Sequence, residues 1–315
     1  MPATLRPATQ PTMYFIGVTT GQSSINAVFP RWARRLGLSE CVLRGIDFAP
    51  GSAPEDFRAT LEFIKRDPLS LGALVTTHKI AVFAAGRAIF DELDPLTRAL
   101  GEVGSIFKRA GRLHGRAVDP YTSGHALAAQ LAPAHWHGGA EALLLGAGGA
   151  GTALAWHLAN GAAAAGRPGR IHAVDRAPER LAHLRALHAT WAGAAAMEFH
   201  ALARTDEADA LLARLPPGSL VVNATGLGKD APGSPLGAAA RFPERGVVWE
   251  LNYRGQLVFL EQARAQAAAR ALRVADGWNY FLHGWTHVIA DVFAREIPAS
   301  GPLFDELGAL AATAR

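Results

Sequence analysis

The chain has 315 residues, half of them hydrophobic and 18% charged, which excludes a disordered protein and supplies one large or two medium cores. A single cysteine, Cys41, excludes a disulfide framework and a cysteine metal cluster, and its apolar neighbours point to a buried thiol. The net charge is +4, but the arginines lie singly or in pairs ("RWARR", "FKRAGR") with no basic stripe, so nucleic acid is not an expected partner.

The opening "MPATLRPATQPTM" lacks the apolar core of a secretory signal and reads as a short flexible leader. No apolar run reaches the ~20 residues that span a bilayer, so a soluble, cytoplasmic protein with no membrane partner is expected. After the leader, apolar runs alternate with helix-period stretches, the pattern of a parallel α/β sheet. "MYFIGVTT" predicts a strand, "INAVFPRWARRLGL" a helix closed by Gly37, "CVLRGIDFA" a strand, "PEDFRATLEFIKRD" a helix and "LGALVTT" a third strand. "IAVFAAGRAIFDEL" predicts a helix, and the stretch ending "GRAVD" contains a hairpin with "RAGR" at its turn. A second unit begins with "EALLLGAGGAGTALAWHLANGAAAAG", strand, glycine turn and helix, followed by the strand "RIHAVDR" and the helix "APERLAHLRALH". "GSLVVNATGLG" and "GVVWELNYRG" are further strand-to-loop transitions, and "LVFLEQARAQAAARALRV" is a helix leading to the last strand.

The most legible chemistry is "GAGGAG", where Gly146, Gly148 and Gly151 fit G-x-G-x-x-G between a strand and a helix. The first glycine permits the tight turn, the second lets backbone approach a pyrophosphate, and the third lets the helix pack on the strand. Asp175, roughly 24 residues beyond Gly151, ends the next strand, where a carboxylate would accept hydrogen bonds from an adenosine ribose and repel a 2′-phosphate. Arg176 pulls the other way, because a guanidinium there stacks on adenine or pairs with that phosphate. NAD is therefore the expected cofactor and NADP the alternative. Asp175 could equally cap the helix that follows.

"VTTHK" ends the third strand with Thr76, Thr77, His78 and Lys79, more polar chemistry than a turn requires. As a solvated lysine at the start of a helix, Lys79 would sit at the helix's positive end, where a cation is disfavoured. His283 and His287 are spaced to share a helix face, but without a third ligand no metal is expected.

Together these motifs resemble the shikimate dehydrogenases and their quinate dehydrogenase relatives, from about Ile16 to the C-terminus. "VTTHK" resembles the family's catalytic-lysine motif, "GEVGSIFKRAGRLHGRAVD" its stretch from Ala-Val-Asn-Thr to Asn-Thr-Asp, and "VVNATGLG" its Asn-Ala-Thr-x-x-Gly loop. "ELNY" is similar to its Asp-x-x-Tyr and "DGWNYFLHGWTHVIADVF" to its last motif. The resemblance implies an α/β fold: an open substrate-binding domain over residues 1–125, a Rossmann dinucleotide-binding domain over 126–285, and a C-terminal segment, 286–315, returning to the first. It implies a reversible NAD(P)-dependent alcohol dehydrogenase of aromatic amino-acid biosynthesis, acting on a small cyclic hydroxy acid or polyol; a homodimer is compatible with it. Lys79 becomes the general acid/base and Asp119 its carboxylate partner. Substrate contacts are expected from Thr19, Ser23, Ser24, Thr76, Thr77, Tyr253, Tyr280 and His283. Cofactor contacts are expected from the loop Gly146, Ala147, Gly148, Gly149, Ala150 and Gly151, from Asp175 and Arg176, from Asn223, Ala224, Thr225 and Gly226, and from Leu251 and Gly277.

The chain also departs from the pattern. Gly104 stands for the first asparagine, Ala117 and Val118 for Asn-Thr, and Gly284 for a glutamine; "VTTGQSSIN" replaces Ser-x-Ser-Pro, and the proline before the lysine is absent. Lost polar contacts would cost a polyhydroxylated ring on the order of 1–3 kcal/mol each, so a substrate other than shikimate is expected. A methylene-tetrahydrofolate dehydrogenase and a catalytically silent NAD-binding regulator are the competing assignments; Asp119 and the motif order weigh against the first, and retention of Lys79 with Asp119 against the second.

Overall fold

The computed structural model describes residues 5–161, 166–229 and 231–314. The first residues of the expected leader and the alanine run after Gly161 lie outside them. The chain divides into two compact units, 1–118 with 284–315, and 119–283.

In the first unit the elements run β1 (Thr12–Gly17), α1 (Ile25–Arg35), β2 (Val42–Asp47), α2 (Pro54–Arg66), β3 (Ser70–Val75), α3 (Lys79–Gly86), β4 (Glu92–Leu93), α4 (Pro95–Leu100), β5 (Ser105–Arg109) and β6 (Arg112–Arg116). They form one sheet in the order β2-β1-β3-β5-β6-β4. β1 is parallel to β2 and β3, whereas β5 runs antiparallel to β3 and β6. The hairpin turns at Ala110 and Gly111, both at positive φ, as a two-residue turn matched to strand twist requires. Tyr14, Ile16, Phe57, Leu61, Ile64, Val75 and Ile106 fill the core beside this sheet.

Three expectations change here. The leader is not loose throughout: the Ala8 N–H donates to Asp67 Oδ2 at 3.0 Å, Ala8 is buried and Leu5 packs on the core. The helix predicted to run through "FDEL" stops at Gly86, because Asp91 accepts from the Leu113 N–H at 2.7 Å and pairs with Lys65 at 2.8 Å, drawing the chain into β4 at the sheet edge. Cys41 is half-buried rather than buried; desolvation first, and Glu40 second, push its thiol up.

The second unit runs α5 (Asp119–Ala128), β7 (Ala142–Leu145), α6 (Gly149–Asn160), β8 (Ile171–Asp175), α7 (Pro178–His188), β9 (Met197–Ala201), α8 (Thr205–Leu212), β10 (Leu220–Asn223), β11 (Val247–Glu250), α9 (Val258–Arg270) and β12 (Arg273–Ala275). All six strands are parallel, in the order β12-β11-β10-β7-β8-β9. Counted from β7, this is the 3-2-1-4-5-6 order of a dinucleotide-binding sheet, with its switch point between β7 and β10. Every residue of β7, β10 and β11 is buried, as strands covered on both faces must be. α10 (Trp278–Phe293) begins in this unit and ends in the first, where α11 (Pro302–Ala312) packs on α1 through a Trp32 Nε1–H bond to Leu307 O at 2.8 Å and an Arg35–Glu306 pair at 2.6 Å. Among the described residues no helix is long and apolar enough to cross a membrane.

Candidate active site

At the switch point of the second sheet the chain leaves β7 through Gly146, whose φ of +110° favours glycine. A side chain there would also meet the Ala224 carbonyl carbon and oxygen at 2.7 Å, so Gly146 lets the loop after β10 close over the loop after β7. Gly151 has the packing role, since an added Cβ would lie 2.0 Å from Gly146 O. Gly148 differs from both: an added Cβ meets nothing within 4 Å. Its bare backbone faces open space at the N-terminus of α6, where the N–H groups of Gly149, Ala150 and Gly151 start the helix without intrahelical acceptors. Open space at that position, and unsatisfied donors behind it, fit a pyrophosphate.

Asp175 holds this loop. Its Oδ2 accepts from the Ala147 N–H at 2.8 Å and its Oδ1 from the Ala177 N–H at 2.9 Å, with Arg180 3.7 Å away. A carboxylate keeps further lone pairs for a ribose hydroxyl after those two bonds. The expected helix cap is Ala177 instead, and Asp175 stands two residues before it. Arg176 is exposed beside the loop.

The ends of β10 and β11 are tied by a buried polar network that the sequence did not announce. Glu250 is 0% exposed. Its Oε2 accepts from Asn223 Nδ2 at 2.6 Å, and its Oε1 from Asn252 N at 2.9 Å and Asn252 Nδ2 at 2.6 Å. Asn223 Oδ1 in turn accepts from the Thr225 N–H at 3.1 Å and the Thr225 hydroxyl at 2.6 Å. Burial pushes the Glu250 carboxyl up to about 7, against the pull of its donors. The network fixes Ala224, Thr225 and Gly226 over the glycine turn, with the Ala224 N–H on Leu145 O at 2.7 Å. Leu251 and Gly277 meet at the same end of the sheet, where a Cβ on Gly277 would lie 1.9 Å from Leu251 O. Tyr253 is half-buried and packs on Trp278 and Phe281 at ring distances of 5.3 and 4.7 Å; Tyr280 packs on Trp249. His283 is buried, its ring 5.6 Å from that of His125.

In the first unit Lys79 is the first residue of α3, half-buried, and its carbonyl accepts from the Val103 N–H at 3.2 Å. A Cβ on Gly104 would stand 3.7 Å from Lys79 Cε and 3.0 Å from Val118 Cγ2, so the lysine stem runs past the position where the family pattern has asparagine. Two residues earlier the same segment carries Glu102, a buried carboxylate that its polar type gave no reason to place inside. His78 is a core histidine: Nε2 lies 2.9 Å from Phe48 O and the ring packs against Phe48 and Phe57. Thr76 bonds Ile16 O at 3.3 Å, whereas Thr77 and Thr19 are exposed and Ser23 and Ser24 half-buried. Asn26 Nδ2 ties their loop by bonds to Thr20 O, Gly21 O and Ser23 O at 2.9, 3.2 and 3.1 Å. Asp119 opens the second unit as the first residue of α5, 4% exposed, at the helix end that favours a carboxylate and with Pro120 following it.

No protein-family model matches the chain. The shikimate dehydrogenase (NADP(+)) of Brucella abortus (strain S19) is 28% identical over 262 residues, covering 80% of this chain and 78% of that protein. The chain is a homologue of the shikimate dehydrogenases. Two solved structures share its fold: the quinate dehydrogenase of Corynebacterium glutamicum in complex with NAD (TM-score 0.69, 19% identity, 96% of this chain and 99% of that one), and the shikimate 5-dehydrogenase of Thermus thermophilus in complex with shikimate (0.68, 23%, 96% and 98%). In this shikimate dehydrogenase homologue the glycine loop, Asp175, Asn223 to Gly226, Leu251 and Gly277 gather around the C-terminal edge of the second sheet, while Lys79, Gly104, Ala117 and Val118 gather beside the third strand of the first.

Proposed function

We propose that the chain is an NAD(P)-dependent alcohol dehydrogenase that moves hydride reversibly between nicotinamide and a hydroxyl or keto carbon of a small cyclic acid or polyol. The observation that carries this assignment is the glycine loop at the switch point of a 3-2-1-4-5-6 parallel sheet, with open space at Gly148 and Asp175 on its backbone. Residues 119–283 form the dinucleotide-binding domain, and 1–118 with 284–315 the substrate-binding domain.

The N-terminus of α6 and the backbone at Gly148 hold the pyrophosphate, and Asp175 takes the ribose hydroxyls, with Arg176 as the side chain available to a 2′-phosphate. The dinucleotide, when bound, supplies the hydride acceptor. Lys79 takes the proton of the substrate hydroxyl, or returns it in reduction, within about 3 Å of that oxygen. Asp119 orients the ammonium. Lys79 Cε stands 3.7 Å from where a side chain on Gly104 would begin. Thr19, Ser23, Ser24, Thr76, Thr77, Tyr253, Tyr280 and His283 supply substrate contacts.

Gly104, Ala117 and Val118 stand where the family pattern has amide-bearing polar residues, so shikimate is a poor fit. A cytoplasmic homodimer completes the assignment; light scattering on the purified chain checks the assembly. The function itself is tested by fluorescence titration with NAD and NADP and by reduced-nicotinamide absorbance across a panel of cyclic hydroxy acids and polyols. Dinucleotide binding with turnover on a less hydroxylated ring is the expected result. Binding without turnover on any member would replace the enzyme with an NAD-binding regulator.

A further inference from the structure

At the β8–β9 edge of the second unit's sheet, outside the glycine loop, lies a second polar cluster. His172 on β8 pairs across the sheet with Glu198 on the edge strand β9, and His200 follows Glu198 on the same face of that strand. With Glu141, Leu211 and Arg214 they line a cavity of about 200 Å³. His172 Nδ1 lies 3.3 Å from His200 Nε2 and 3.3 Å from Glu198 Oε2, and the last two atoms are 3.6 Å apart. Ligands of a tetrahedral zinc ion, at ~2.0–2.2 Å from the metal, stand about 3.3–3.6 Å from one another. The three atoms therefore occupy three corners of such a tetrahedron.

A separate observation concerns the imidazole itself. His172 Nε2 lies 2.8 Å from Glu141 Oε2, and a hydrogen bond donated there leaves Nδ1 as the bare lone pair that faces His200 and Glu198. A carboxylate behind a histidine is the arrangement that fixes the tautomer and raises the basicity of a metal ligand. The remaining charges are nearly balanced. Arg170 binds the other oxygen of Glu198, and Arg214 lines the cavity.

We propose that His172, His200 and Glu198 bind one divalent transition-metal ion, zinc by donor set and spacing, with Glu141 orienting His172, and that the ion fastens the edge strand β9 to β8. Two imidazoles and one carboxylate suit zinc rather than magnesium or calcium, which take mostly oxygen ligands. The site is independent of the catalytic assignment: it lies outside the glycine loop and its readouts need no turnover.

The test uses the full chain without a histidine tag. Metal content is measured after incubation with zinc chloride and dialysis, and cobalt(II) is titrated for the visible absorption of tetrahedral coordination. We expect one equivalent of zinc, a cobalt spectrum of tetrahedral type, a raised unfolding midpoint with zinc and none with magnesium. Glu141→Gln should weaken zinc binding by roughly 10–100-fold without changing the stoichiometry. Because His172 is buried and its loss endangers folding, His200→Ala and Glu198→Gln on the edge strand carry the decision, each checked for native circular dichroism. Zinc binding lost in both supports the site. Absence of cobalt absorption and of retained zinc in the wild type, leaving only a hydrogen-bonded histidine–carboxylate cluster, overturns it, as does binding that survives both substitutions.

Discussion

Replacing Glu250 by glutamine isolates a buried carboxyl whose titration falls near neutrality. In the native chain burial raises this group from 4.5 to about 7. Between those values the folded protein holds a proton that the unfolded chain has released, so raising the pH favours unfolding. The stability tied to the neutral carboxyl is fully present below about pH 4.5 and is gone once the pH has passed about 7. At about 1.36 kcal/mol per pH unit, the gap amounts to roughly 3 kcal/mol. Glutamine cannot ionise and carries no such slope. It does bring an amide NH₂ to one of the two positions where oxygen now accepts, and on the Asn223 side that means donor against donor at the present 2.6 Å. The unsatisfied contact costs about 1–3 kcal/mol at every pH. Urea denaturation followed by circular dichroism should thus find the variant less stable at about pH 5, and the two proteins converging or crossing by about pH 8. Parallel stability profiles for the two proteins would refute the buried titration and, with it, the account of how β10 and β11 hold their loops.

Lys79→Ala should lower turnover at least ~100-fold, the size expected for an acid/base group, while dinucleotide affinity measured by fluorescence barely changes. Gly148→Ala and Gly146→Ala separate ligand from fold. The first adds a Cβ into open space and should weaken NAD or NADP binding tenfold or more by titration with an unchanged unfolding midpoint; the second forces alanine to positive φ and into the Ala224 backbone, and should cost about 3 kcal/mol in denaturation. Asp175→Asn should shift the ratio of NAD to NADP affinity toward NADP, and an unchanged ratio would retire the ribose assignment.

The sequence was most legible where local chemistry dictates local structure. The glycine turn, the hairpin at Ala110 and Gly111 and the strands flanking them follow from periodicity and from φ requirements that few residues meet. It was least legible where a side chain's partner comes from a distant segment. Nothing in "FDEL" foretells that Asp91 will accept from Leu113 and Lys65, and this is what turns a helical pattern into a short edge strand. Glu250 reads as one more polar residue after an apolar run until Asn223 and Asn252 close on it. The zinc-type cluster shows both sides of this. Glu198 and His200, one residue apart in "MEFHA", share a face if the segment is a strand, but His172 joins them only through the pairing of β8 with β9.

The substitutions around Lys79 read differently once their packing is known. Taken singly, glycine at 104 and valine at 118 each look like the loss of a substrate-binding polar group. In the folded unit they are neighbours: Val118 Cγ2 stands 3.0 Å from where a Gly104 side chain would begin, so an asparagine there requires Val118 to give by a few tenths of an ångström. Ala117 and Val118 are themselves buried, at 0% and 3% exposure, so the packing they add next to Gly104 is apolar. Gly104→Asn should therefore be accommodated with less loss of stability when Val118 is made smaller in the same chain, which denaturation of the single and double variants checks.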